Sequence, residues 1–115
     1  MRLVHRDLDI TIATDIEVAE SFLARARGLM FRRSIPEDYA LVFEFGKPVT
    51  RSLHMLFVPF PIDAVWLVDG EVTHVARLDA WTGVGRGRAD TILELPAGTV
   101  EGVRVGDRLA LVSGD

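Results

Sequence analysis

Ile62-Asp63-Ala64-Val65-Trp66-Leu67-Val68 runs directly into Asp69-Gly70, and then into Glu71-Val72-Thr73-His74-Val75-Ala76-Arg77-Leu78. Asp-Gly is a preferred dipeptide of two-residue hairpin turns, because both central residues of a type I′ turn need positive φ. The stretch therefore predicts two antiparallel strands joined by Asp69-Gly70. The first strand is apolar on both faces apart from Asp63, the pattern of a strand covered on two sides. A covered central hairpin demands more sheet around it. Toward the N-terminus, Leu41, Phe43 and Phe45 alternate with their neighbours, and Leu53, Met55 and Phe57 alternate against His54, Leu56 and Val58. Residues 4–6 and 8–13 fit an opening hairpin. Toward the C-terminus, residues 91–95 and 108–112 close the set, with Ala97-Gly98 and Val105-Gly106-Asp107 as turns.

One segment follows a different period. Ala19, Phe22, Leu23, Ala26 and Met30 recur at 3.6-residue spacing. Thr14-Asp15-Ile16-Glu17 has the form of a capping box, and Gly28 suits a position just past the helix end. The expectation is one amphipathic helix over about 15–27. The fold expected is mainly β: a small sandwich or jelly-roll-like barrel of seven or eight short strands carrying that helix.

A length of 115 residues suits a single domain over 1–115, and 49% hydrophobic against 26% charged residues supplies a core and excludes a disordered chain. The absence of cysteine excludes a disulfide scaffold, a thiol nucleophile and cysteine-based metal sites. Three widely spaced histidines argue against an all-histidine site, so no metal and no cofactor is expected. The net charge of −4 opposes general binding to nucleic acid or to an anionic membrane, both of which select a basic surface. Residues 1–9 show no apolar leader core, and the longest uncharged run, 52–62, is too short to cross a bilayer and is broken by Pro59 and Pro61. A cytoplasmic location is the expectation.

Arg27-Gly28-Leu29-Met30 resembles the Arg-Gly-Leu-Met signature of the uncharacterised DUF192 (UPF0127) family. The likeness continues in order through His54-Met55 and Pro61-Ile62-Asp63, then Asp69-Gly70-Glu71-Val72, Leu93-Glu94-Leu95-Pro96-Ala97-Gly98 and Val105-Gly106-Asp107. The chain departs from the family pattern at His54, where tryptophan is common, and at Leu56-Phe57-Val58, which stand for Lys-Asn-Thr. Ala40-Leu41-Val42-Phe43 also lacks a Gly-Met that often precedes this strand. The resemblance implies a compact, mainly β fold with one helix and no enzymatic activity. It also implies export or lipid anchoring for many members.

Asp63 is the leading site candidate, because a carboxylate in a greasy strand must be paired or hydrogen-bonded. It is expected to accept from Arg27 or from backbone N–H groups and so to fix the helix on the sheet; a rim position facing a ligand is the functional alternative. Arg27 can bridge to Asp63 or Glu94, or bind an anion, since its planar fork matches a carboxylate. Glu94, flanked by Leu93 and Leu95, needs a partner if it points inward, and Arg27 is the expected one. A binding hollow is expected near Arg27, Met30, His54, Met55, Asp63 and Trp81, an apolar surface with a few polar groups. Gly83-Val84-Gly85-Arg86-Gly87-Arg88 lacks the strand-to-helix setting of a dinucleotide fingerprint. It reads as a flexible hairpin or loop, with Arg86 and Arg88 as candidate anion binders. Arg25, Arg27, Arg32 and Arg33 form a second cationic cluster, usually solvated. Ser52, His54 and Asp63 have the residue types of a hydrolytic triad without its setting, so an enzyme is the least favoured class.

The function expected is a non-catalytic small-ligand-binding or accessory module, with an unknown small molecule or protein as partner. The alternative is a protein–protein interaction domain using an apolar Phe57/Phe60 ledge in Phe57-Val58-Pro59-Phe60-Pro61. An enzyme would require His54 and Asp63 within hydrogen-bond reach.

Overall fold

The computed structural model describes residues 1–113, with the side chain of Phe22 outside that description. In chain order the elements are β1 (Arg2–His5), β2 (Ile10–Ala13), β3 (Asp15–Val18), α1 (Phe22–Arg27), β4 (Tyr39–His54), β5 (Ile62–Val68), β6 (Glu71–Leu78), β7 (Val84–Pro96) and β8 (Leu109–Val112). They form two sheets, ordered β2-β1-β8 and β3-β4-β7-β5-β6. The architecture is sandwich-like and mainly β with one short helix, as the sequence pattern suggests.

The central hairpin forms as read. Asp69 and Gly70 both take positive φ, 53° and 80°, the backbone that the primed turn requires. β5 lies between β6 and β7, and the five-stranded sheet is buried on both sides. Ala64, Trp66, Ile92, Leu41 and Phe43 pack on one face beneath Leu29 and Met30. Val65, Leu67, Leu93, Leu95 and Val42 pack on the other, against Leu3 and Leu109 of the small sheet. Period-2 alternation thus divides the core into two compartments separated by the sheet.

The helix is shorter than expected. Residues Asp15–Val18 are not its first turn but a strand pairing in parallel with β4, Asp15 opposite Tyr39 and Val18 opposite Val42. Ile16 and Val18 are half-buried while Asp15 and Glu17 are exposed, a strand alternation that β-branched residues favour. Glu17 caps nothing; its carboxylate accepts from the Tyr39 hydroxyl at 2.6 Å and from Arg32 at 3.2 Å. The true cap is Ser21, whose Oγ accepts from the Ala24 N–H at 3.0 Å. The expected C-terminal boundary holds: α1 ends at Arg27, and Gly28 follows with φ +52°.

The glycine-rich segment is also different from the expectation of a flexible loop. It is the first half of β7, and with residues 49–54 of β4 it forms a two-stranded ribbon. Gly85 and Gly87 face Trp66 so closely that an added Cβ would stand 2.6 and 2.9 Å from its ring. The indole Nε1–H of Trp66 donates to the Arg51 carbonyl at 3.0 Å, and the Thr73 hydroxyl bonds the Arg88 carbonyl at 2.5 Å. The glycines are there for close approach: they let the ribbon lie across the tryptophan. Arg86 and Arg88 consequently project from the outer face, exposed.

Candidate functional site

Folding the ribbon over Trp66 leaves a gap between its β4 strand and the segment from α1 to Met30. The gap is a cavity of about 360 Å³, with Arg25, Arg27 and Gly28 on one side, Arg51 and His54 on the other, and Glu94 in its wall. Apolar surface comes from Met30, Phe43, Phe45 and Ile92.

Glu94 is the unusual group. It sits in β7 between Leu41 of β4 and Ala64 of β5, in the interior of the sheet. Alternation turns it to the same face as Ile92, toward α1. It is only 5% exposed, and its Oε1 has no hydrogen-bond partner among the described residues. Gly28, in its left-handed conformation, brings backbone over the carboxylate; a Cβ there would touch Oε1 and the Phe43 ring at 3.4 Å each. Burial raises the Glu94 pKa to about 7, opposed only by the positive charge of Arg32.

Three further arginines line the same cavity, each with its guanidinium held by a backbone carbonyl. Arg27 Nε donates to Met30 O at 3.2 Å, Arg25 Nη1 to Glu44 O at 3.2 Å, and Arg51 Nε to Ala89 O at 2.9 Å. Arg51 also lies over the Phe45 ring at 3.9 Å. Among the described residues none of the three has a carboxylate within 4 Å; the arginines that do are Arg32, Arg77 and Arg108.

The expected Arg27–Asp63–Glu94 network does not form. Asp63 is buried as expected, but on the opposite face of the sheet from Glu94, as alternation dictates for residues 63 and 64 when Glu94 pairs with Ala64. Its partners are Arg77 Nε at 2.5 Å and the backbone N–H groups of Gly98 and Val100 at 2.9 and 3.1 Å. Backbone donors were one of the two expected sources; the guanidinium comes from β6 instead of α1. Asp63 therefore binds the turn after β7 and not the helix, and it lies outside the cavity. Of the remaining expected residues, Arg27, Met30 and His54 line the cavity. Met55 is enclosed in the core at 1% exposure. Trp81 is exposed elsewhere, its N–H bonded to Val58 O. Arg86 borders an adjoining shallow groove shared with Ser52 and His54, whereas Arg88 borders neither. His54 Nδ1 accepts from the Leu56 N–H at 3.2 Å, and Asp63 is fully engaged across the sheet, so Ser52, His54 and Asp63 make no triad.

One cluster escaped sequence reading. His5, Asp7 and Asp107 bring ligand-type atoms within 4.8 Å of one another. Their hydrogen bonds are already internal. His5 Nε2–H donates to Asp107 Oδ2 at 2.8 Å while Nδ1 accepts from Leu8 N; Asp107 takes Arg104 N, and Asp7 takes Arg108 N. The cluster ties β1 to the turn before β8. The Gly106-Asp107 turn was legible, its histidine partner 102 residues away was not.

A model of the DUF192 family, described as Uncharacterized ACR, COG1430, matches residues 4–111. The chain belongs to that family. Two DUF192 relatives carry the UPF0127 label. The UPF0127 protein PH1112 of Pyrococcus horikoshii is 30% identical over 113 residues, covering 93% of this chain and 96% of that one. UPF0127 protein PF1050 of Pyrococcus furiosus is 35% identical over 104 residues, with coverages of 85% and 87%. A crystal structure from Sinorhizobium meliloti, named a "putative transcription regulator", superposes with a TM-score of 0.76 at 29% identity, covering 95% of this chain and 89% of that one. A protein of unknown function from Novosphingobium aromaticivorans shares the fold, with a TM-score of 0.74 at 23% identity and coverages of 84% and 74%. In this DUF192 chain the Arg27-Gly28-Leu29-Met30 signature forms one wall of the cavity, and Gly28 is the residue that closes over Glu94.

Proposed function

We propose that the protein is a non-catalytic small-ligand-binding module that uses the cavity between α1 and the β4–β7 ribbon. One observation carries the reading: a buried carboxylate oxygen without a partner, in the wall of a partly apolar hollow. An unpaired buried acceptor costs about 1–3 kcal/mol, more when charged. A ligand donor that reaches Glu94 would recover that cost on binding. The test is a thermal-shift screen of sugars, nucleotides, organic acids and amines on wild type and Glu94→Gln. A compound that raises the wild-type melting temperature and does so less for the variant supports the reading; a broad panel without any such compound refutes it.

A second reading concerns a different surface. Phe31 and Phe57 are 63% and 49% exposed, stack at 5.0 Å, and both hold positive φ. Trp81, also exposed with positive φ, is hydrogen-bonded to Val58 beside them. Left-handed backbone at non-glycine residues costs roughly 1–3 kcal/mol each and is kept where the surroundings enforce it. Such a ledge suits a protein partner. It is formed by Phe57 with Phe31 and not with Phe60, which packs against the core. Phe31→Ser/Phe57→Ser should abolish any self-association seen by sedimentation; a strictly monomeric wild type that also enriches no partner argues against it. The regulator name of the Sinorhizobium relative raises DNA as a partner, but the net charge of −4 opposes it. Residence in the cytoplasm belongs to the same proposal.

A further inference from the structure

Resting on the cavity reading, we infer that the ligand is a small zwitterion, with an ammonium group at Glu94 and an anionic group at the arginine mouth. One cavity is lined by a deep carboxylate and by three arginines whose guanidinium groups lack acidic partners among the described residues. A simple anion would engage Arg25, Arg27 or Arg51 and leave Glu94 as empty as before. A simple cation would satisfy Glu94 but would enter past three like charges. A molecule with both ends satisfies both sets, and electrostatic complementarity fixes its direction.

The acid end is met by preorganised forks. Arg25 and Arg27 each spend one N–H on a backbone carbonyl and Arg51 spends two, on Ala89 and Lys47, which fixes the heads and leaves other N–H groups to donate. The ammonium end is favoured over a hydroxyl for two reasons. Glu94 is desolvated, so a positive partner stabilises its charged form more than a neutral donor does. Phe43, whose ring stands next to the Gly28–Glu94 contact, offers an aromatic wall to a cation. Amino-acid-like compounds are the class that follows.

The experiment is isothermal titration of the whole protein at pH 8 with glycine, 4-aminobutyrate and 6-aminohexanoate. Hexylamine, hexanoate and 6-hydroxyhexanoate serve as one-ended or neutral-ended controls. At least one amino acid should bind tenfold or more tightly than all three controls. Glu94→Gln should reduce its affinity at least tenfold, and Arg25→Gln/Arg27→Gln should do the same from the other end. Affinity should also fall about tenfold from pH 8 to pH 6 as Glu94 takes up its proton. The charged or titratable groups facing it are Arg25, Arg27 and Arg32 from the α1 side and Arg51 and His54 from β4. His54 also lines the cavity, so His54→Gln is read for slope alone: the fall between pH 8 and pH 6 should persist in it, and its loss would overturn the assignment to Glu94. Controls that bind as tightly as the amino acids overturn the inference. So does Glu94-dependent binding of a sugar or nucleotide with no amino acid bound, a result that leaves the cavity reading standing. Absence of any Glu94-dependent ligand defeats both.

Discussion

Replacing Glu94 by glutamine should stabilise the protein, and the gain should grow with pH. The folded-state pKa of Glu94 is raised to about 7 from an ordinary 4.5. The folded protein therefore retains a proton that the unfolded chain releases. Stability contributed by this group falls as pH rises above the unfolded value and levels off once pH passes the folded one. At about 1.36 kcal/mol per pKa unit, the loss at high pH is on the order of 3 kcal/mol. Glutamine has nearly the same shape and no charge to desolvate. At pH 5, only just above the ordinary value, most of the loss has yet to develop and the variant's advantage should be about 1 kcal/mol or less. At pH 8.5 the variant should melt higher by roughly 10 °C, given several degrees per kcal/mol for a domain of this size. Calorimetric scans of both proteins at pH 5, 7 and 8.5 measure this. A gap that does not change with pH, or a variant that melts lower at pH 8.5, would refute a buried, unpartnered carboxylate. A group kept at that cost fits a site where function is traded against stability.

Other substitutions separate the two acids of the sheet. Asp63→Ala should cost about 3–5 kcal/mol by urea unfolding, because it strands the N–H groups of Gly98 and Val100 as well as Arg77. Arg77→Ala, at a largely exposed side chain, should cost clearly less; equal losses would show that the backbone donors contribute little. Gly85→Ala places a methyl group 2.6 Å from the Trp66 ring and should destabilise by about 1–3 kcal/mol with a shift in tryptophan emission. Unchanged emission and stability would mean that the ribbon does not lie on Trp66. Ser21→Ala should cost about 1 kcal/mol, whereas Thr14→Ala should leave α1 helicity by circular dichroism unaffected, the reverse of what a cap at Thr14 demands.

Much of the sheet was legible because its signals are local. Asp69-Gly70 carries the turn, and the two-sided apolar run of β5 announces a central strand. Glu94 was recognisable as an inward acid in need of a partner, although not as one left without any. The misreadings have identifiable sources. Thr14 to Glu17 fits two local templates, and only the parallel pairing with β4 selects the strand. A plain two-residue hairpin would set Asp63 opposite Ala76; the register shift between Trp66 and Leu67 moves it opposite Arg77. A bulge of that kind leaves no mark in a hydrophobic pattern. Gly85 and Gly87 read as flexibility because their reason, the face of Trp66, is distant in sequence. The cavity exists only because that ribbon folds over, so half of its lining was out of reach of any local argument.

The five-stranded sheet acts as a bulkhead. Asp63 on one side is locked by three bonds that hold the architecture, while Glu94 on the other keeps a buried oxygen with no partner among the described residues. Asp63 and Glu94 lie on neighbouring rungs but leave the sheet on opposite faces, so changes to the lining of one chamber should add to changes in the other wherever the altered groups share no contact. A chain built this way is free to drift in ligand preference without renegotiating the joint between its sheets, and an engineer could re-equip the chamber with the same freedom.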